Sequence, residues 1–157
     1  VSQVIEAGAI GFNFEDQVVG GNGLHAIEVQ IERVVAARQA CDVADVPGFI
    51  NARTDIFLKA PADTHNAEML DEVINRGKAY AAAGADGFFA PGLKDEAFIS
   101  TLCQAVPLPV NIIALPGTPD NQRLAELGVA RISYGPVPYK RMIGWLTGQA
   151  KNALSGV

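Results

Sequence analysis

The stretch "AAGADGF" (82–88) decides the fold class, because the same arrangement occurs three times in the chain. In each occurrence a glycine follows a helical pattern, and a short apolar run comes directly after it. The other two occurrences are "EAGAIGF" (6–12) and "ELGVARI" (126–132). Glycine at this position adopts the left-handed conformation that closes a helix. The recurrence therefore predicts helix–strand units that repeat along the chain.

Five short apolar runs, rich in aromatic or β-branched residues and bounded by Gly, Pro or Asp, are predicted to be buried strands. They cover residues 10–16, 48–55, 86–91, 109–115 and 130–135. Apolar residues at helical spacing predict helices over 25–44, 69–83, 95–106, 121–127 and 139–154. Strands that alternate with helices predict a parallel α/β sheet, either doubly wound or part of a (β/α)8 barrel.

The five predicted strands are fewer than a complete barrel needs. A (β/α)8 barrel has eight strands and typically about 250 residues, whereas this chain has 157 residues. The chain also opens inside a helical pattern, "VSQVIEAGA" (1–9), and does not begin with methionine. We therefore expect further strands before Val1.

Composition limits the possible partners and the cellular location. The formal net charge is −5 and the basic residues form no cluster, so neither nucleic acid nor an anionic membrane is expected as a partner. Cys41 and Cys103 stand apart, without the spacing of a metal or redox motif. Isolated thiols are typical of a reducing compartment. The composition therefore predicts a soluble, cytoplasmic protein.

Two carboxylates, Glu15 and Asp16, end the first predicted strand just before a glycine-rich stretch. Strand alternation places Asn13 and Glu15 on one face and leaves Asp16 at the rim. A Glu–Asp pair at this position could hold a hard cation, directly or through water. Alternatively, the two acids only cap the turn that follows the strand.

Three polar residues of "INARTD" (50–55) alternate and so share one face of a mostly buried strand: Asn51, Arg53 and Asp55. A buried arginine is costly unless it is paired. Arg53 could pair with Glu15 or Asp55, or it could offer a bidentate fork to a carboxylate or phosphonate of a substrate.

Asn111 lies in the middle of the apolar run "PVNII" (109–113). A buried amide needs hydrogen-bond partners, which either neighbouring groups or a ligand can supply. The pattern leaves both sources open.

Five segments, taken in order, resemble the isocitrate lyase/phosphoenolpyruvate mutase superfamily: "FNFEDQ" (12–17), "INARTD", "YAAAGADGFFAPG" (80–92), "PVNII" and "LAELGVARISYGP" (124–136). The resemblance spans essentially the whole chain. It implies a (β/α)8 barrel of which this chain supplies strands four to eight and the C-terminal helix. Residues 1–157 would then be the C-terminal part of a single barrel domain, with the N-terminal strands outside this chain.

The resemblance also implies a function. Members bind Mg2+, or Mn2+, and an α-keto or 2-hydroxy acid or its enolate, and they make or break an adjacent C–C or P–C bond. Carried over to this sequence, Glu15 contacts metal-bound water and Asp16 is its companion. Arg53 binds the acidic group of a carboxylic or phosphonic acid substrate, and Asn111 contacts the substrate. Asn51, on the same face as Arg53, is expected to bind substrate with it.

Three positions at which this sequence departs from the family pattern limit which reaction is expected. The D-x-D pattern whose aspartates hold Mg2+ directly does not occur here, so we expect the direct ligands before Val1. The lyase loop "KKCGH" is replaced by "VVGGNGLHA" (18–26), and Pro91 occupies the position of a lyase glutamate. These departures favour a mutase-like branch. In the alternative, the chain is a catalytically incomplete fragment, inactive by itself, or a non-catalytic homologue that binds a carboxylic acid.

The C-terminal helix predicts contact between subunits. Met142, Ile143, Leu146 and Ala150 form a stripe that is expected to seat this helix on the barrel, with Trp145 at its margin. Trp145 packs either within its own chain or on another subunit, where tryptophan is enriched. The resemblance implies tetramers that exchange this helix, so we expect a homo-oligomer.

Overall fold

The computed structural model describes residues 1–156, so Val157, the last residue of the expected domain, lies outside the described part. Within it, helices and strands alternate through most of the chain. The helices are α1 (Ser2–Glu6), α2 (Ile27–Val43), α3 (Ile56–Lys59), α4 (Ala67–Ala82), α5 (Glu96–Ala105), α6 (Asn121–Glu126) and α7 (Val137–Leu154). The strands are β1 (Gly11–Glu15), β2 (Phe49–Arg53), β3 (Gly87–Phe89), β4 (Val110–Ile113) and β5 (Arg131–Ser133).

The five strands form one parallel sheet in the order β1-β2-β3-β4-β5. Each strand pairs with the next strand in sequence, as in a (β/α)8 barrel. A doubly wound sheet reverses its strand order at a switch point, and this sheet has no reversal among the described strands. The partial barrel fold is therefore confirmed, and the doubly wound alternative is wrong. β1 and β5 are the two edges of the sheet.

The glycines that follow three helices adopt the conformation that the sequence predicts. Gly8, Gly84 and Gly128 have φ angles of 91°, 100° and 94°. At each of them the chain leaves a helix and enters the next strand three residues later. Because a side chain strains the backbone at such angles, glycine allows these short connections.

The core lies between the outer face of the sheet and the helices α2, α4 and α5. Fully buried strand residues, among them Ile50, Phe88 and Ile112, pack with buried residues of these helices. The rings of Phe88 and Tyr80 lie 6.2 Å apart. Each large apolar side chain buried in this way contributes about 1.5–3 kcal/mol to folding. The burial fixes the outer face of each strand and leaves the opposite face for polar residues.

The helix α7 differs from the others because none of its described residues is buried. The expected seating of its apolar stripe on the barrel is wrong for this chain, since Met142 is 53% and Leu146 55% exposed. Trp145 is 66% exposed, so no residue of the described chain covers it. Among the described residues, no helix combines the length and apolar character needed to cross a membrane.

Candidate active site

One row of side chains crosses the inner face of the sheet, which is the face opposite the helices. Register pairs link Glu15 to Arg53, Arg53 to Phe89, Phe89 to Asn111 and Asn111 to Arg131. Register partners in neighbouring strands point to the same face of a sheet, and side chains alternate along each strand. The strands therefore place Glu15, Arg53 and Asn111 on a common face.

Arg53 is the centre of this row. Its Nε donates to Oδ1 of Asp55 over 2.6 Å, and its Nη2 donates to Oδ2 of the same carboxylate over 2.9 Å. Its Nη1 lies 3.3 Å from Oε2 of Glu15. The guanidinium carbon also lies 5.6 Å from the centre of the Phe89 ring. Both ion pairs that the sequence offered for Arg53 are therefore present.

The contacts of Arg53 keep it charged and oriented. Burial lowers the pKa of the guanidinium, but the hydrogen bond and charge of Asp55, with the charge of Glu15, outweigh burial and raise the pKa above its ordinary value. The two bonds to Asp55 use two of the five N–H donors of a guanidinium. The Nη1–Nη2 edge remains beside Glu15. This edge is suited to a bidentate contact with an acid.

Arg53 lines a cavity of about 360 Å³ at the carboxyl ends of the strands. Its described lining residues are Asn13, Arg53, Leu58, Phe89, Pro91, Ile113, Leu115, Ser133, Gly135 and Pro136. The volume is within the range of small-molecule sites, roughly 300–1,000 Å³. The cavity also occupies the end of the sheet at which barrel enzymes bind ligands.

Asn111 is buried without hydrogen bonds. The residue is 1% exposed, and neither Oδ1 nor Nδ2 of its amide has a partner among the described residues. Along the row it stands two strands from Arg53, about 10 Å at typical strand spacing, with Phe89 between them. The structure therefore brings Glu15 and Arg53 into contact, and it leaves Asn111 buried on the same face, outside the described lining of the Arg53 cavity.

Asn51 lies one layer below Arg53, toward the amino ends of the strands. Its Nδ2 donates to Oδ1 of Asn13 over 2.8 Å, and the residue is 2% exposed. It lines a second cavity, of about 370 Å³, together with Phe49 and Arg131. Asn51 therefore shares the inner face with Arg53 but does not line the same cavity among the described residues.

Strand alternation was expected to leave Asp16 at the rim of the sheet, but the residue does not lie there. The residue is 0% exposed. Its Oδ2 accepts from Nη1 of Arg76 and from the hydroxyl of Tyr80, each over 3.1 Å. Its Oδ1 accepts from the backbone N–H of Asp55 over 3.1 Å. Since Glu15 faces inward, its successor points toward the helices.

The sequence did not predict Arg76 and Tyr80 as the partners of Asp16. They lie one turn apart on α4, and Nη1 of Arg76 also donates to the carbonyl of His25 over 3.0 Å. Burial, with the charge of Asp16, raises the pKa of the Tyr80 hydroxyl, so this group stays protonated. A signal was present in the sequence, because Arg76 falls in the buried stripe of α4 between Val73 and Tyr80.

The described residues do not fit a metal centre by themselves. Among residues 1–156, no group of three or more His, Cys, Asp or Glu side chains is arranged to hold a metal ion. Asp16 is occupied by Arg76 and Tyr80, and Asp55 is occupied by Arg53. Glu15 is the remaining carboxylate of the cluster, with one oxygen near Arg53.

Residues 1–154 match a family model described as phosphoenolpyruvate phosphomutase. The chain belongs to the phosphoenolpyruvate mutase family. This membership confirms the resemblance drawn from the sequence motifs.

Solved and curated proteins are similar to this chain. A structure from Burkholderia cenocepacia J2315, described as a "putative phosphonomutase", superposes with a TM-score of 0.93 at 48% identity, over 97% of this chain and 61% of that one. Oxaloacetate decarboxylase of Ectopseudomonas mendocina (strain ymp) is 32% identical over 88% of this chain and 47% of the relative. 2-Methylisocitrate lyase of Escherichia coli (strain K12) is 34% identical over 83% of this chain and 45% of the relative. The chain thus spans about half the length of these two curated relatives.

Proposed function

We propose that the full-length protein makes or breaks a C–C or P–C bond in a small acid, next to an α-keto or 2-hydroxy carbon and through an enolate. Family membership supports this reaction class, as do relatives named oxaloacetate decarboxylase and 2-methylisocitrate lyase. The observation that carries the proposal is Arg53, which is held by a buried carboxylate and still presents donors at a cavity of ligand size.

Arg53 binds the acidic group of the substrate in this proposal. Asp55 holds one edge of the guanidinium, so the Nη1–Nη2 edge can donate two parallel hydrogen bonds to a carboxylate or phosphonate. Glu15 lies 3.3 Å from Nη1, so an arriving acid displaces this carboxylate or turns it away. A fixed positive charge in a partly dry site also stabilises an enolate as it forms.

Asn111 is proposed as a second substrate contact. Its amide lacks partners among the described residues, and a buried amide without partners is costly. A ligand oxygen or a bound water would remove that cost. Asn51 is proposed to contribute less directly, since it is tied to Asn13 one layer below.

Binding of a divalent ion, Mg2+ or Mn2+, remains a prediction that rests on the resemblance. Glu15 and Asp55 carry more negative charge than Arg53 neutralises, and a nearby cation would balance this excess. The described residues do not supply a set of direct ligands, so Glu15 is proposed as an outer partner that reaches the ion through water. Asp16 contributes by holding the strand end rather than by facing the ion.

A homo-oligomer with contacts through α7 is also proposed. The apolar side chains of this helix are exposed, including Trp145 at 66% and Tyr139 at 64%. Such side chains are enriched in interfaces between proteins. A cytoplasmic location, expected from the composition, remains a prediction.

The test of the proposed function compares two arginine variants of the full-length protein. Arg53→Lys keeps a charge beside the buried Asp55 but loses the fork, so kcat/KM should fall about 100-fold. Arg123→Lys is the matched control, because Arg123 is exposed and pairs with Glu96 and Glu126 away from the cavity. Release of pyruvate from oxaloacetate, from 2-methylisocitrate and from phosphonopyruvate is measured with Mg2+ and with Mn2+, so that both C–C and P–C cleavage are tested.

The outcomes separate the alternatives. Turnover that falls in Arg53→Lys and persists in Arg123→Lys supports the proposal. Equal turnover in Arg53→Lys and the wild type would remove Arg53 from the mechanism. Binding of these acids without turnover would favour the non-catalytic alternative, in which the site only holds a carboxylic acid.

A further inference from the structure

The helix α3 is a single turn of four residues that follows Asp55 directly. A turn of this length is marginal by itself, because the first hydrogen bond of a helix fixes several residues at once. Its carbonyl groups also lie in the last turn, where a helix supplies no partners of its own. The stability of α3 therefore depends on contacts at its two ends, and Asp55 at its start is also the residue that holds Arg53.

Asp55 fixes the start of α3. Its backbone N–H donates to Oδ1 of Asp16 over 3.1 Å, and its carbonyl accepts from the backbone N–H of Lys59 over 3.0 Å. The carboxylate of the same residue accepts the two hydrogen bonds from Arg53. Because the helical turn and the carboxylate that orients Arg53 share one residue, the conformation of α3 and the direction of Arg53 are linked.

His65 contacts the other end of α3. Its Nε2 lies 3.0 Å from the carbonyl oxygen of Phe57 and 3.4 Å from that of Ala60. Because a carbonyl oxygen can only accept, Nε2 carries the proton in these contacts. The imidazole ring also packs on Phe57, which is 2% exposed, with the two ring centres 4.8 Å apart. His65 thus supplies both a donor and a ring contact to a turn whose carbonyl groups need partners.

Leu58 connects this turn to the cavity. Leu58 and Arg53 both line the cavity, and Leu58 directly follows the residue whose carbonyl His65 contacts. The backbone of Leu58 packs closely on Gly92, where an added Cβ would lie 2.7 Å from the nitrogen of Leu58. A shift of α3 would therefore move part of the cavity wall together with the carboxylate that orients Arg53.

We propose that His65 is a positioning residue, which caps α3 and so keeps Asp55 and Arg53 in the orientation that binds the acidic group of the substrate. The role of Arg53 in binding rests on the proposed function, whereas the contacts between His65 and α3 do not. A merely structural imidazole would change the stability of the protein and leave its affinity for an acid unchanged.

Three variants of the full-length protein separate the hydrogen bond of His65 from its packing. His65→Phe keeps a ring against Phe57 and removes the donor, whereas His65→Gln places an amide N–H at about the reach of Nε2 and restores the donor. Thr64→Val is the matched control, because the hydroxyl of Thr64 donates over 2.7 Å to the carbonyl of Pro61, which lies after α3. Thermal unfolding verifies that each variant is folded.

The first readout is the hydrogen exchange of the Lys59 amide, measured by NMR, which needs no turnover. This amide donates to the carbonyl of Asp55, so its exchange reports the opening of α3. Exchange should be about tenfold faster in His65→Phe, the effect of one lost hydrogen bond, and close to the wild-type rate in His65→Gln and Thr64→Val. Equal exchange in His65→Phe and the wild type would overturn the proposal.

The second readout is the affinity of the site for acids. KM and kcat are measured for the substrates of the proposed function, and the Kd of oxalate is measured by calorimetry. Because Arg53 holds the acidic group before as well as during the reaction, KM and the oxalate Kd should rise about five- to tenfold in His65→Phe, while kcat changes less than about twofold. His65→Gln should restore both values, and Thr64→Val should keep them.

The combined outcomes distinguish the role of His65 from the proposed function. Faster exchange in His65→Phe with unchanged KM and oxalate Kd would limit His65 to a structural role and overturn the proposal. Affinity that stays as low in His65→Gln as in His65→Phe would overturn the part of the hydrogen bond. A wild type that binds oxalate but turns over no substrate would contradict the proposed function alone, and the oxalate Kd of the variants would then decide the role of His65. A wild type that neither binds oxalate nor turns over a substrate would overturn both.

Discussion

The buried carboxylate of Asp16 accepts the backbone N–H of Asp55 over 3.1 Å, and this bond joins the carboxyl ends of β1 and β2. Asp55 in turn holds Arg53 through two hydrogen bonds. On its other side Asp16 is bonded to Arg76 and Tyr80 of α4. The orientation of the proposed substrate-binding arginine is therefore set by a chain of polar contacts that begins in the helix layer.

Removal of the Asp16 charge should destabilise the protein. In Asp16→Asn, Arg76 remains buried and keeps only the partly exposed Glu72 as a charged partner. Loss of one member of a buried ion pair typically costs 3–5 kcal/mol, and we expect about 3 kcal/mol in the free energy of unfolding. Chemical denaturation measures this loss.

A double variant distinguishes an unpaired charge from a general packing defect. Asp16→Asn combined with Arg76→Gln leaves no buried charge at this site, so it should be more stable than Asp16→Asn alone. Glu96→Gln is the control, because its partner Arg123 is exposed, and the free energy of unfolding should not change measurably. A double variant as unstable as the single one would contradict this account.

Replacement of Asn111 by an apolar residue should preserve or raise the stability of the protein and lower its activity. Asn111→Leu replaces an amide that has no partners among the described residues with an apolar side chain of similar size. We expect the free energy of unfolding to stay equal or to rise by about 1 kcal/mol. If Asn111 contacts the substrate, kcat/KM should fall about 100-fold, because the hydrogen bond to the substrate is lost.

Thr54→Val is the matched control for Asn111→Leu. Oγ1 of Thr54 is also buried without a partner among the described residues, so its replacement should be equally tolerated. No substrate contact is proposed for Thr54, so its variant should keep full activity. A loss of stability in Asn111→Leu with unchanged kcat/KM would show that the amide has a structural role instead.

The sequence predicts the fold well because its signals are local. Gly8, Gly84 and Gly128 each have a conformation that glycine accepts most easily, and each lies three residues before the start of a strand. Strand alternation likewise places Glu15 and Arg53 on the inner face, because the period of two residues depends only on neighbours in sequence. A local pattern therefore suffices for the elements and for the face on which a side chain lies.

The partners of buried charges could not be predicted in the same way. Asp16 and Arg76 are 60 residues apart in sequence, and nothing local to either one selects the other. The alternation also becomes ambiguous at the last residue of a strand, where Asp16 could turn to the rim or to the helices. The apolar stripe of α7 has a similar limit: it indicates a face that is suited to burial and does not identify what covers it.

Tyr80 should make the protein less stable at alkaline pH. Burial and the charge of Asp16 raise the pKa of its hydroxyl in the folded protein above the ordinary value of 10.0. Below pH 10 the folded and unfolded states both keep this proton, so its stabilising hydrogen bonds are fully present. Above pH 10 the unfolded state loses the proton first, and the free energy of unfolding falls by up to about 1.4 kcal/mol per pH unit.

Denaturation between pH 8 and pH 11 measures this effect. Tyr80→Phe should be about 1 kcal/mol less stable than the wild type at pH 8, and the difference should shrink as the pH rises above 10. Tyr134→Phe is the control, because Tyr134 is 48% exposed and lies outside α7, and its variant should keep the alkaline slope of the wild type. A constant difference between Tyr80→Phe and wild type across this range would exclude Tyr80 as the titrating group.

The apolar surface of α7 should be covered by another subunit in solution. Trp145 is 66% exposed and Met142 53%, and side chains of this size are costly to leave in water when they cluster on one helix. Sedimentation velocity of the full-length protein at micromolar concentration should show an oligomer, and Trp145→Lys should shift it to smaller species. Val19→Lys is the control, because Val19 is 81% exposed in the loop after β1 and should leave the assembly unchanged. A monomeric wild type, or a Trp145→Lys assembly equal in size to the wild type, would rule out an interface centred on this residue.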